Sequence, residues 1–122
     1  MGAGKTLLVV EDSRVVQGAM RLVLEWEGYH VLSADNGQEA LNLLRRGERP
    51  AVILLDVGMP VLDGWQFREE QLKDPDLAHI PVVVVSGIDI ASTMAAQGHV
   101  QKPFVPDELL GAIRRAEQVH TV

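Results

Sequence analysis

Three runs of apolar residues constrain this chain more than anything else in it: TLLVV (6–10), AVILL (51–55) and IPVVVVS (80–86). A strand with one wet face alternates apolar and polar residues. These runs do not alternate, so each must be covered on both faces, as in a parallel sheet between two layers of helices. YHVLSA (29–34) is a further candidate strand, and HVQ (99–101) a weaker fifth. Between the runs, apolar residues return at helical spacing. Val15, Val16, Ala19, Val23 and Trp26 mark a first helix, Ala40, Leu43 and Leu44 a second, and Phe67 and Leu72 a third. Ser13 can cap the first, and Asn36 with Glu39 forms a capping box for the second. Asp63 opens the third, which stops before Pro75. Pro106 suits the first turn of the last helix, whose buried side is Leu109, Leu110 and Ile113. The order is therefore β-α repeated five times. Right-handed crossovers turn that order into a doubly wound α/β sheet with helices on both faces.

In such sheets the carboxyl ends of the strands carry the chemistry. Glu11 and Asp12 follow the first strand, Asp56 the third, Ser86 ends the fourth, and Lys102 follows the fifth. Two unit charges 4 Å apart repel by roughly 4 kcal/mol at an effective dielectric of about 20. Three carboxylates at one edge therefore call for a cation, and an all-oxygen ligand set suits a hard one such as Mg²⁺. A metal, a lysine and a small hydroxyl around one carboxylate make a phosphoryl acceptor. Positive charge then offsets what gathers on the phosphoryl oxygens.

Composition removes other classes. The net charge of −6, with no cluster of Lys and Arg, argues against direct nucleic-acid binding. With no cysteine there is neither disulfide nor thiolate chemistry, which suits a reducing cytoplasm. No apolar run approaches the ~20 residues of a membrane helix. The four histidines lack metal-ligand spacing. GAGKT (2–6) imitates the end of a phosphate-binding loop, yet its earlier glycine and preceding strand are not met, and Thr6 opens a strand where that motif requires a helix. Trp26, Trp65 and Phe67 read as packing residues.

VVEDS (9–13), LLDVGMPVLDG (54–64), VVSG (84–87) and QKPF (101–104), in that order and at strand ends, resemble the receiver domains of two-component response regulators, including single-domain chemotaxis regulators. The resemblance runs from about 6 to 119 and implies one domain over 1–122 with a flavodoxin-like strand order 2-1-3-4-5. It implies that Asp56 accepts a phosphoryl group from a histidine kinase or phosphotransfer protein. Glu11, Asp12, Asp56 and the backbone carbonyl of Gly58 would hold Mg²⁺. Ser86 and Lys102 would contact the phosphoryl group, and the Lys102–Pro103 bond would be cis. The expected product is a cytoplasmic signalling module, not an enzyme, monomeric or weakly dimeric, whose output is contact with a downstream protein target.

Two departures stand out. Where the family has an aromatic switch residue, three before the lysine, this chain has His99; Ser86 and His99 are the expected switch pair. Only sixteen positions separate Ser86 from Lys102. The segment 88–98 must supply both a loop and a shortened fourth helix, roughly 8–9 Å shorter at 1.5 Å per residue. Val105 stands where a polar cap is usual. The short fourth helix and His99 motivate an alternative, a receiver-like protein-interaction module that works without phosphorylation.

Overall fold

A computed structural model of the protein describes residues 4–57, 63–87 and 96–120, with only the backbone of 119 and 120. Five parallel strands, β1 (Thr6–Val10), β2 (His30–Ala34), β3 (Val52–Leu55), β4 (Val82–Ser86) and β5 (Gly98–Gln101), lie in the order β2-β1-β3-β4-β5. The helices among the described residues are α1 (Arg14–Trp26), α2 (Gly37–Arg45), α3 (Gly64–Lys73) and α4 (Pro106–His120). Of the segment 88–98 expected to supply a loop and a short helix after β4, residues 88–95 lie outside the described residues, as do Gly58 and the Met59–Pro60 loop within 58–62; Ala96 and Gln97 are not helical, and Gly98 already opens β5.

The unbroken apolar runs are explained by two cores. Leu7, Val9, Val52 and Leu54 pack on one face of the sheet with Met20, Leu24 and Ile113 of α1 and α4. Their neighbours Leu8, Val10, Ile53 and Leu55 pack on the other face with Ala40, Leu44 and Phe67 of α2 and α3. Every residue of β1 after Thr6, and every residue of β3, is therefore buried. At about 25 cal/mol per Å² of apolar surface removed from water, these central strands are the main hydrophobic investment of the fold.

Helix starts follow the sequence closely. Ser13 Oγ accepts from Val16 N (3.3 Å), and Asp63 with Gln66 forms a complete reciprocal box. At α2, Asn36 accepts from Glu39 N (2.9 Å), but Glu39 reaches back one residue further, to Asp35 N (3.0 Å). The expected box there is therefore only half formed.

The face of α1 differs from expectation. Met20 and Leu24 are its buried residues, with Val16 and Val23 half-buried against the core. Val15 and Trp26, expected inside, are 84% and 88% exposed, and Ala19 is exposed as well. The helix carries two apolar strips one residue, or about 100°, apart, and only one can face the sheet. Trp65 is likewise 42% exposed and Leu72 48%, whereas Phe67 is fully buried. In their place α3 buries Gln71, whose side-chain amide donates to Leu77 O (2.9 Å) and Ile80 O (3.0 Å) and holds the turn that leads into β4.

Candidate functional site

Backbone hydrogen bonds carry the sheet one residue past its strands, at the positions that matter. Glu11 N donates to Ala34 O (3.0 Å), Asp56 N to Val10 O (2.9 Å) and Lys102 N to Ser86 O (2.7 Å). Each of these residues is thus moored to the end of a neighbouring strand, and together they converge at the carboxyl edge of β1, β3, β4 and β5. The Lys102–Pro103 peptide is cis.

Three acids meet there. One carboxylate oxygen each from Glu11, Asp12 and Asp56 lies within 4.8 Å of the other two. Asp12 is exposed, Asp56 is about nine-tenths buried, and Glu11 is 2% exposed. Lys102 Nζ pairs with Glu11 Oε1 at 2.6 Å and stands 3.7 Å from Asp56 Oδ2. Ser13 N donates to the other Glu11 oxygen (3.1 Å). Burial pushes the Glu11 carboxyl above the usual carboxylate range; the bonds from Lys102 and Ser13 pull it down, and the charge of Asp56 adds to the rise. The donor set is oxygen only, close-spaced and anionic, and so fits a hard divalent cation.

Ser86 is buried at the end of β4 (2% exposed). His99 is half-buried on β5 opposite Val84. Because Val100 joins the α1/α4 core, His99 points to the opposite face of the sheet. Lys5, from the phosphate-loop look-alike, pairs with Glu117 of α4 (2.6 Å), and Thr6 does open β1.

Two supporting residues escaped the sequence reading. Gln17 Nε2 lies 2.6 Å from Glu11 O, 3.3 Å from Ala34 O and 2.8 Å from Asp35 Oδ1. One amide thus ties the acid-bearing turn to the end of β2. Gly64 brings the start of α3 against the turn after Asp56: a Cβ there would lie 2.5 Å from Val57 Cα and 2.7 Å from Asp56 O. Asp63–Gly64 in the sequence signalled a helix start, but only the fold shows why the second residue has no side chain.

Known proteins share this fold. The family model for the response regulator receiver domain matches residues 7–114. Protein PilH of Pseudomonas aeruginosa is 33% identical over 88% of this chain and 93% of its own length. A probable transcriptional regulator, ycf27 of Guillardia theta, is 36% identical over 88% of this chain but 43% of its own. The chain spans about half the length of the ycf27 regulators it matches. Among solved structures, chemotaxis protein CheY4 of Vibrio cholerae superposes with a TM-score of 0.85 at 28% identity, over 93% of this chain and 99% of that one. A response regulator from Chloroflexus aurantiacus gives 0.87 at 28%, over 94% and 98%.

Proposed function

The chain belongs to the response regulator receiver family of two-component signalling, and on that premise we propose that Asp56 is its phosphoacceptor, fed by a histidine kinase or phosphotransfer protein. The observation that carries this reading is the convergence of Glu11, Asp12 and Asp56, with Lys102 Nζ set between Glu11 and Asp56. Glu11, Asp12 and Asp56 would hold Mg²⁺, with the Gly58 carbonyl as a further ligand by family resemblance. Bound there, Mg²⁺ supplies positive charge beside the transferring phosphoryl oxygens.

An oxygen of Asp56 attacks phosphorus as the donor's N–P bond breaks, and the donor imidazole leaves with the electron pair and takes up a proton. Lys102 is within reach of the same oxygens, and its pairing with Glu11 keeps the ammonium at the site before the phosphoryl group arrives. The Ser86 hydroxyl ends a buried strand and supplies a donor for a phosphoryl oxygen. Ser86 and His99 then pass the change to a partner-binding surface by shifting a conformational equilibrium.

Intact mass after incubation with Mg²⁺ and acetyl phosphate tests the reading. One added phosphoryl group on the wild type, absent from Asp56→Asn, is the expected result. No addition on the wild type, or undiminished addition on the variant, overturns it in favour of an interaction module that works without phosphorylation.

A further inference from the structure

The three acids at the sheet edge are not held alike. Glu11 is anchored through its side chain, by Lys102 (2.6 Å) and by the N–H of Ser13 (3.1 Å). Asp56 lies about nine-tenths buried just past β3. Asp12 is exposed, and among the described residues no hydrogen bond or ion pair holds its carboxylate. Where that carboxylate goes is therefore set by the backbone that carries it, above all by the Glu11–Asp12 peptide.

That peptide is fixed from outside the cluster. Its carbonyl, Glu11 O, accepts from Gln17 Nε2 at 2.6 Å, while Glu11 N donates to Ala34 O at 3.0 Å. Both backbone groups of Glu11 thus turn toward the end of β2. In a trans peptide the N–H points opposite to the carbonyl, so Asp12 N points away from β2, to the side where Asp56 follows β3. The Gln17 amide also donates to Asp35 Oδ1 (2.8 Å), with Ala34 O a longer third contact (3.3 Å). Asp35 is fastened in turn: Arg14 donates to its other oxygen (2.6 Å), and its own N–H donates to Glu39 of α2 (3.0 Å). The bonds from Gln17 first and Arg14 second hold the Asp35 carboxyl below its ordinary range, so it stays an acceptor. One half-buried side chain therefore braces the acid-bearing turn against the start of α2.

We propose that Gln17 is a positioning residue for the divalent cation: its amide fixes the Glu11–Asp12 peptide so that the Asp12 carboxylate faces the ion, and this sets the affinity of the site. The role of Gln17 rests on the reading of Glu11, Asp12 and Asp56 as Mg²⁺ ligands. The chemistry of the side chain suits the task. A primary amide offers two donors, and here two close acceptors lie in different directions, one on the acid turn and one after β2. The amide is neutral, so it brings no positive charge beside a cation, as a lysine or arginine at 17 would. A carboxylate there would have no proton to give and would face the charge of Asp35. Its bond is to the main chain of a ligand, not to the ligating oxygens. Residues that orient metal ligands from behind commonly alter metal affinity by roughly 10–100-fold.

An NMR titration of the isotope-labelled full chain with MgCl₂ tests this role, together with the rate of phosphoryl uptake from acetyl phosphate. Gln17→Met keeps the length of the side chain and removes its donors. The Mg²⁺ dissociation constant is expected to rise about tenfold in this variant, and uptake to return to the wild-type rate once Mg²⁺ saturates. A second comparison holds even if Gln17→Met is poorly folded. Asp35→Asn and Asp35→Ala remove the same charge, but only asparagine keeps an oxygen for Gln17. Asp35→Ala should therefore bind Mg²⁺ more weakly than Asp35→Asn, and the difference should vanish when Gln17→Met is added. An unchanged constant in Gln17→Met, uptake still slow at saturating Mg²⁺, or equal affinity in the two Asp35 variants overturns the role of Gln17 and leaves the reading of Asp56 intact. A wild type that binds no Mg²⁺ overturns the metal reading itself, and the role of Gln17 with it.

Discussion

Lys102 Nζ stands closer to Glu11 (2.6 Å) than to Asp56 (3.7 Å), so the lysine at the end of β5 is paired first with the acid at the end of β1. That pair spans the sheet and neutralises the most buried charge at its edge. Removing the ammonium leaves a carboxylate that is 2% exposed without its cation. Lys102→Ala is expected to cost about 1–3 kcal/mol, less than a fully buried pair because the lysine side chain is 26% exposed. Urea unfolding measures it, and the double variant Lys102→Ala with Glu11→Gln should recover much of the loss.

Three acids sharing one site set the response to metal. Mg²⁺ at ten times its dissociation constant should stabilise the wild type by about 1.4 kcal/mol. Asp12→Asn should shrink that gain at the same Mg²⁺ concentration. Without Mg²⁺, Asp56→Asn should stabilise the fold, because it relieves repulsion within the cluster. Thermal unfolding with and without Mg²⁺ reads both effects.

Gly64 is predicted to tolerate no side chain. A methyl group 2.5 Å from Val57 Cα meets backbone, which cannot rotate away. Gly64→Ala should cost about 1–3 kcal/mol and move the turn that carries Asp56. Phosphoryl uptake from acetyl phosphate should slow in this variant, whereas Gly18→Ala, which meets open space, should hold or gain stability.

The single tyrosine supplies a pH signature. Burial, then the hydrogen bond and charge of Glu117, push the Tyr29 hydroxyl up to about 12 from 10.0. The unfolded chain therefore releases this proton at lower pH than the folded one. The contribution is fully present below pH 10.0 and is lost as pH rises toward about 12. Urea midpoints across that range should fall less steeply in Tyr29→Phe, and tyrosinate absorbance should appear late in the folded wild type.

Much of this molecule can be read from short-range pattern. The doubly buried strands announce themselves because covering both faces forbids polar alternation, and β1, β3 and β4 lie where their apolar runs do. Residues at the strand ends can be named because chain direction alone puts Glu11, Asp12, Asp56, Ser86 and Lys102 on one edge of a parallel sheet. Caps at Ser13 and Asp63 are local as well, since each needs only its own next turn.

Three features needed the folded chain. The rotation of α1 about its axis is not encoded in helical periodicity when two apolar strips compete, so Met20 and Leu24 went inside while Val15 and Trp26 stayed out. The choice of Lys102 between Glu11 and Asp56 depends on a flexible side chain answering charges 91 and 46 residues away. The requirement for glycine at position 64 exists only because α3 starts against the turn after Asp56. Local sequence determines which residues arrive at the edge of the sheet. Distances between atoms far apart in the chain decide how they pair, which of them are buried, and which remain for another protein to meet.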